Sequence, residues 1–275
     1  MIGGRLLAAL RDAGRAVIGT SRRRPTPQGM IPLDLAAGDA PLPATLRGGI
    51  AFLCAGITRL DLCEQQPEAT ARINVGNTLR LADRLAERGC RIVYPSTNLV
   101  LDGGRAFQRA DAPYAPACAY GRQKMAVEQG IGALDADVAI LRMTKILPPT
   151  PALLAGWVRT MRAGQPVRPL RDLVMAPIPL ETLIDVLLRL VTAPGRGVYQ
   201  VSGDRDLAYS DVAQALARRF GCDPALVQPA TARELGLVLN AAPRHTTLDC
   251  ARVTAEFAIG SAAAMETLAG LQFDE

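Results

Sequence analysis

Tyr120 and Lys124 are the residues whose types and spacing could do chemistry together. They lie in the run Cys118-Ala119-Tyr120-Gly121-Arg122-Gln123-Lys124-Met125-Ala126-Val127-Glu128, and residues 120–129 read as the opening of a helix. A separation of four puts a phenol and an ammonium on one helix face, within reach of each other. A free tyrosine ionises near pH ~10, and a nearby cation favours its charged form. Such a phenol can give a proton to a carbonyl oxygen, or take one from an alcohol, near neutral pH. The competing reading is a surface Tyr–Lys pair with no chemistry. Lys124 and Lys145 are the only lysines among 31 basic residues, so the spacing is not one that chance supplies freely.

The elements that would hold this pair follow in order along the chain. Residues 2–13, with Leu6, Leu7 and Leu10 on one side and Gly14 as the stop, predict an amphipathic helix. Residues 16–20 predict a short buried strand closed by Ser21-Arg22-Arg23-Arg24, and residues 31–35 the next strand. Ile50-Ala51-Phe52-Leu53-Cys54-Ala55-Gly56 reads as an apolar strand ending in small residues, and residues 67–88 as a long helix holding Asn74. A strand at 91–95 runs into Ser96-Thr97-Asn98, and after the Tyr120 helix comes a strand at 137–142. Short continuous apolar runs alternating with helices predict a parallel sheet covered on both faces. Beyond about Pro148 the rhythm breaks into Pro-rich turns, helices near 153–163, 180–191 and 210–220, and one strand near 198–203. That composition predicts a smaller lobe.

Composition narrows the class. A 275-residue chain with 49% hydrophobic residues can bury a large core in one or two domains. No apolar run reaches the ~18 residues that span a bilayer, and no leader pattern opens the chain, so the expected location is the cytoplasm. The six cysteines (54, 63, 90, 118, 222 and 250) show no paired Cys-x-x-Cys spacing, and several sit in apolar stretches as reduced core cysteines do. A single histidine, His245, argues against a zinc site. The net charge of +5 is spread along the chain, and 4% aromatic residues leave little for stacking bases, so nucleic acid is not an expected partner.

Together these pieces resemble the extended short-chain dehydrogenase/reductase family, within it the dTDP-4-dehydrorhamnose reductase-like (RmlD-like, sugar-nucleotide-binding) branch. The resemblance is carried by Ile2-Gly3-Gly4-Arg5-Leu6-Leu7, Thr20-Ser21-Arg22-Arg23, Leu33-Asp34-Leu35, Leu53-Cys54-Ala55-Gly56, Asn74-Val75, Ser96-Thr97-Asn98-Leu99-Val100-Leu101-Asp102-Gly103 and Tyr120-Gly121-Arg122-Gln123-Lys124. It implies a Rossmann-type doubly wound α/β fold with a smaller mixed α/β C-terminal substrate lobe. The nucleotide-binding domain would span residues 1–150, with 176–203 returning to it, and the lobe 151–175 and 204–275. The resemblance implies that Tyr120 is the general acid. Lys124 would lower the Tyr120 pKa and hold the nicotinamide ribose, and Thr97 would bond the substrate carbonyl, with Ser96 as its competitor. Cys54, Ala55 and Gly56 would let the cofactor approach the backbone, with Gly3, Asp34, Leu35 and Asn74 also around it. Asn74 and Thr97 also have purely structural readings, as a helix residue bonding backbone and as a turn residue. Arg22 and Arg23 follow the second strand of the family fold, where an arginine accommodates the extra phosphate of NADP; NAD is the alternative. Partners would be a nucleotide-sugar substrate and a second copy in a homodimer, with no membrane and no nucleic acid.

Two departures stand out. Gly3 matches the third glycine of the family's phosphate turn, so the first strand and first two glycines are not in this sequence, which leaves an unpaired edge in the sheet. The expectation is either a start upstream of Met1 or a form that binds cofactor poorly. In the substrate region, Asn98, Leu99 and Leu101 stand where the branch carries Asp-Tyr and Phe, and Met175-Ala176-Pro177-Ile178 replaces a more polar stretch. The leading expectation is an NADP-dependent reductase of a keto group on a nucleotide-linked sugar or related small ketone. The alternatives are a nucleotide-binding regulatory subunit without turnover and a nucleotide-sugar epimerase or dehydratase.

Overall fold

A computed structural model describes residues 1–38, 42–192 and 195–273. The last two residues of the expected lobe, 274–275, and residues 193–194 lie outside the described residues. In chain order the elements are α1 (Ile2–Asp12), β1 (Gly19–Ser21), β2 (Met30–Pro32), β3 (Ile50–Phe52), α2 (Leu60–Gln65), α3 (Pro67–Ala71), α4 (Thr78–Ala86), β4 (Arg91–Pro95), α5 (Ala119–Gly132) and β5 (Val138–Met143). Then follow β6 (Lys145–Leu147), α6 (Ala152–Arg162), β7 (Val174–Met175), β8 (Pro177–Pro179), α7 (Leu180–Thr192), β9 (Gly197–Val201), β10 (Leu207–Ala208), α8 (Tyr209–Arg219), α9 (Ala251–Phe257) and α10 (Ala264–Ala269).

The chain divides into two compact units. The first holds residues 1–100, 114–142 and 184–199; the second holds 101–113, 143–183 and 200–275. Within the first, β3, β4 and β5 run parallel, with Ala51 opposite Ile92 and Val93 opposite Ala139. β9 joins the same sheet beside β5. All of β5 and all but the first residue of β4 are buried, the pattern of parallel strands covered on both faces. Their core side chains, including Ile92, Tyr94 and Ile140, pack with Leu81, Ala82 and Leu85 of α4 and with Val127 and Ile131 of α5. The spacing of those helical positions is that of one apolar face against a sheet. The second unit builds its own core from Leu154, Val158 and Met161 of α6 and Val212, Ala213 and Leu216 of α8. There β6 pairs parallel with β8, and β10 antiparallel with β7.

Three expectations about local structure change. The strand expected at 16–20 is shorter and later: Ile18 is 54% exposed, and only Gly19–Ser21 pairs, in parallel with β2. Gly19 is pressed by α1, where an added Cβ would come within 2.6 Å of Leu7 Cδ2. Among the described residues β1 and β2 form a sheet of their own, separate from β3–β4–β5–β9. Asp34 and Leu35 are not in a strand: the Asp34 carboxylate accepts from Ala36 N–H at 3.0 Å and caps a single tight turn over Leu35–Ala37. The long helix expected over 67–88 is α3, a wider π-type segment at Arg72–Asn77, and α4. Such a segment commonly marks a site where one helical residue is re-aimed, and Asn74 lies inside it.

Candidate active site

Helix α5 starts under an uncommon cap. The Cys118 thiol, rather than an Asp, Asn, Ser or Thr oxygen, accepts from Gly121 N–H at 3.3 Å, and Ala119 N–H donates to Glu64 Oε2 at 2.8 Å. Both satisfy amides that a helix start leaves without partners. Gly121 is required where it stands: a Cβ there would overlap the Leu99 carbonyl and reach 3.0 Å from Pro116 Cβ. The helix therefore lies directly on the turn that follows β4, and it brings Tyr120 and Lys124 to that turn.

Lys124 Nζ donates to the Pro95 carbonyl at 2.7 Å and sits 4.3 Å from the centroid of the Tyr94 ring and 5.8 Å from that of Tyr120. Part of the residue faces the cleft, but its ammonium is enclosed by protein. Burial lowers the Lys124 pKa to about 8, with Cys54 and Glu128 opposing. Burial likewise pushes the Cys54 thiol up to about 11, so the thiol is neutral where Lys124 titrates. The Tyr120 phenol moves upward from its ordinary value, through burial first and then Cys63 and Cys118. The expected downward pull of Lys124 on the phenol is not expressed in this arrangement, because the ammonium is committed to Pro95 and desolvation dominates. The phenol is held protonated, the state a general acid needs before it acts.

Asn74 ties the cleft together. Its Nδ2 donates to the Ile57 carbonyl at 2.9 Å and to Gln123 Oε1 at 2.8 Å, while its Oδ1 accepts from Ile57 N–H at 2.7 Å. Gln123, between Tyr120 and Lys124 in the chain, passes the link on to Thr70 Oγ1 at 2.8 Å. The segment after β3 is thereby fixed to α5. Cys54, Ala55, Gly56, Ile57, Thr58, Asn74, Tyr94 and Lys124 line one cleft.

At the end of β4 the two adjacent hydroxyls have different partners. Ser96 Oγ donates to the buried carboxylate of Glu128, whereas Thr97 Oγ1 accepts from Leu99 N–H at 3.2 Å and reaches Asn98 Oδ1 at 3.4 Å. Glu128 and Arg142, which joins it at 2.8 Å, were not among the residues the sequence singled out. Glu128 stands one turn beyond Lys124 on the Tyr120 face, which is a visible signal, but a charged residue on a helix ordinarily reads as a solvated one.

The remaining candidates from the sequence lie elsewhere in the first unit. Arg22 and Arg23 are exposed directly after β1, and Arg23 N–H donates to Ser21 Oγ at 3.1 Å. The Leu35 carbonyl accepts from buried Asn77 Nδ2 at 2.7 Å. Gly3, in the first turn of α1, lies against the end of β3: an added Cβ would stand 3.2 Å from Cys54 Cβ. An added Cβ on Gly56 would stand 3.3 Å from Asn74 Oδ1. These small residues leave backbone open at a strand end beside a helix N-terminus, which fits the close approach of a nicotinamide dinucleotide.

Within the second unit a cavity of about 200 Å³ is walled by Leu147, Pro151, Leu154 and Met175, with Lys145 and Tyr209 as its polar members. The edge of Trp157 meets Tyr209 at 6.2 Å between ring centroids. Among the described residues there is no group of three or more side chains able to hold a metal ion, and no helix long and apolar enough to cross a membrane.

Fold and site together define a short-chain-reductase-like α/β protein, and comparison with known proteins makes the class specific. Residues 1–271 match the RmlD substrate binding domain family, and the chain belongs to that family. A probable low-salt glycan biosynthesis reductase of Haloferax volcanii is 26% identical, over 99% of this chain and 94% of its own length. The methionine adenosyltransferase 2 subunit beta of Xenopus laevis is also 26% identical, over 86% of this chain and 72% of its own. Among solved structures, a dTDP-4-dehydrorhamnose reductase from Bacillus anthracis in complex with NADP superposes with a TM-score of 0.80. It is 18% identical, and the match covers 98% of this chain and 93% of that one.

Proposed function

We propose that this protein is an NADP-dependent reductase of a keto group on a nucleotide-linked sugar. The observation that carries the reading is the Tyr120–Lys124 ladder on α5, placed against the small-residue cleft at Cys54–Gly56 and the Thr97 turn. A bound reduced nicotinamide supplies the hydride. Tyr120, held protonated by burial, gives its proton to the carbonyl oxygen as charge develops there. Thr97 offers its hydroxyl to the same oxygen, exchanging the long contact to Asn98 for a stronger one. Lys124, which lines the cleft while its ammonium bonds the Pro95 carbonyl, would hold the ribose hydroxyls of the bound cofactor. The family match and the reductases among the relatives support this class of substrate. The second unit's cavity, with aliphatic walls, one phenol and one ammonium, suits a base and its phosphate.

The exposed Arg22 and Arg23 point to NADP rather than NAD, because a guanidinium can pair with the 2′-phosphate. A charge-assisted contact worth ~1.5–3 kcal/mol gives NADPH about a tenfold or greater advantage over NADH in calorimetric titration. Equal affinities would remove the assignment, and replacing both arginines by Ala should abolish the preference while leaving NADH binding in place.

The charged form of Lys124 is the working form, and burial lowers its pKa to about 8. The ammonium is therefore present below that pH and lost above it. The kcat/KM for NADPH, which reports the free enzyme, should be flat at neutral pH and fall by about tenfold per pH unit above roughly 8. A profile that stays flat to pH ~9.5 would contradict the role given to Lys124.

The similarity to a methionine adenosyltransferase 2 subunit beta supports a second reading, a nucleotide-binding subunit without turnover. NADPH binding with no oxidation across a panel of nucleotide-linked 4-keto sugars and small ketones would favour it.

A further inference from the structure

Glu128 and Arg142 form an ion pair sealed inside the first unit, with side chains 0% and 2% exposed. Arg142 Nε and Nη2 donate to Glu128 Oε2 at 3.1 and 2.8 Å, Tyr114 OH donates to that oxygen at 2.9 Å, and Ser96 Oγ donates to Oε1. A buried pair of this kind seldom stabilises a fold more than apolar side chains of the same volume would. Its position suggests what it does. Lys124 and Glu128 stand on consecutive turns of α5, and they grip consecutive residues at the end of β4: Lys124 takes the Pro95 carbonyl and Glu128 the Ser96 hydroxyl. Ser96 N–H is also held by the Leu141 carbonyl at 2.8 Å, beside Arg142 on β5. The next residue is Thr97.

We infer that Glu128 is a positioning residue of this centre: anchored by Arg142, it fixes Ser96 and thereby the placement of the Thr97 hydroxyl relative to Tyr120. The inference rests on the reductase reading for its effect on rate, but the geometry it assigns to residues 96–99 can be read without turnover. Glu128 touches no reacting atom. It acts through Ser96, next to which the Thr97 hydroxyl makes local contacts with Asn98 and Leu99.

Glu128→Gln is the direct variant, but it leaves Arg142 without its counter-ion and endangers the fold. Ser96→Ala and Tyr114→Phe avoid this. Each removes one hydroxyl from the same carboxylate, on Oε1 and on Oε2 respectively, and only the first leads to Thr97. If Glu128 positions the turn, Ser96→Ala lowers kcat by about tenfold or more, since small misplacements at a reacting centre are costly, with KM for NADPH unchanged. It also speeds hydrogen exchange at the amides of residues 97–99. Tyr114→Phe leaves kcat and that exchange at parental values, while lowering the denaturant midpoint about as much as Ser96→Ala. Parental exchange at 97–99 in Ser96→Ala, or the same change in both variants, overturns the inference. If the parent turns over no carbonyl substrate yet Ser96→Ala alone loosens residues 97–99, the positioning stands and the reductase reading falls.

Discussion

Tyr120→Phe is expected to abolish carbonyl reduction and to leave NADPH binding nearly intact. The substitution keeps the ring and deletes the proposed proton donor at the head of the α5 ladder. Loss of a general acid typically costs ~10²–10⁴ in rate, well within reach of an assay following NADPH consumption. The graded controls come from the same geometry. Lys124→Ala is expected to reduce both turnover and cofactor affinity, because Lys124 lines the cleft with Cys54, Gly56 and Asn74 and its ammonium stands near the phenol ring. Thr97→Val is milder, since it removes one hydrogen bond to the developing oxyanion and leaves proton transfer in place. The order expected is Tyr120→Phe most severe for kcat, Lys124→Ala next, and Thr97→Val least. Parental turnover by Tyr120→Phe on a verified substrate would make Tyr120 a structural residue and bring the nucleotide-binding subunit forward.

Arg142→Met produces the largest expected loss of stability. It leaves the Glu128 carboxylate, 0% exposed, without its cation in the first unit's interior. Breaking a buried pair from one side costs about 3–5 kcal/mol. For a chain of this size that lowers Tm by roughly 6–20 °C. Adding Glu128→Leu removes the stranded charge, so the double variant should lose less than the sum of the two single losses. The coupling in the cycle should be at least ~1 kcal/mol. Thermal unfolding followed by circular dichroism supplies all four corners. Strict additivity, or an Arg142→Met loss under ~1 kcal/mol, would mean that the pair is solvated in solution. This result is independent of any substrate and holds for either functional reading.

What the sequence by itself determined about this protein is whatever depends on local geometry. Apolar residues at helical spacing set α1 and α8. The run Arg91-Ile92-Val93-Tyr94-Pro95 set β4 to its observed limits. A spacing of four on α5 was enough to put Tyr120 and Lys124 on one face, because helix pitch leaves no other arrangement. The order of the motifs carried the family, which the match over residues 1–271 bears out.

Tertiary structure decided the rest, because burial and choice of partner depend on segments far apart in the chain. Nothing near Asn74 announces a π-type segment; its amide is aimed by the need to meet both Ile57 and Gln123, 17 and 49 residues away. Nothing local assigns Ser96 to Glu128 and leaves Thr97 in the turn, since that division follows from α5 lying on the end of β4. The same applies to charge. Spacing alone implied that Lys124 lowers the Tyr120 pKa, but in the folded chain the ammonium turns to Pro95, and the phenol, partly withdrawn from water, moves the other way. A helix repeat fixes which side chains are neighbours, whereas desolvation and hydrogen-bond commitment, set by the whole unit, fix what those neighbours do to one another.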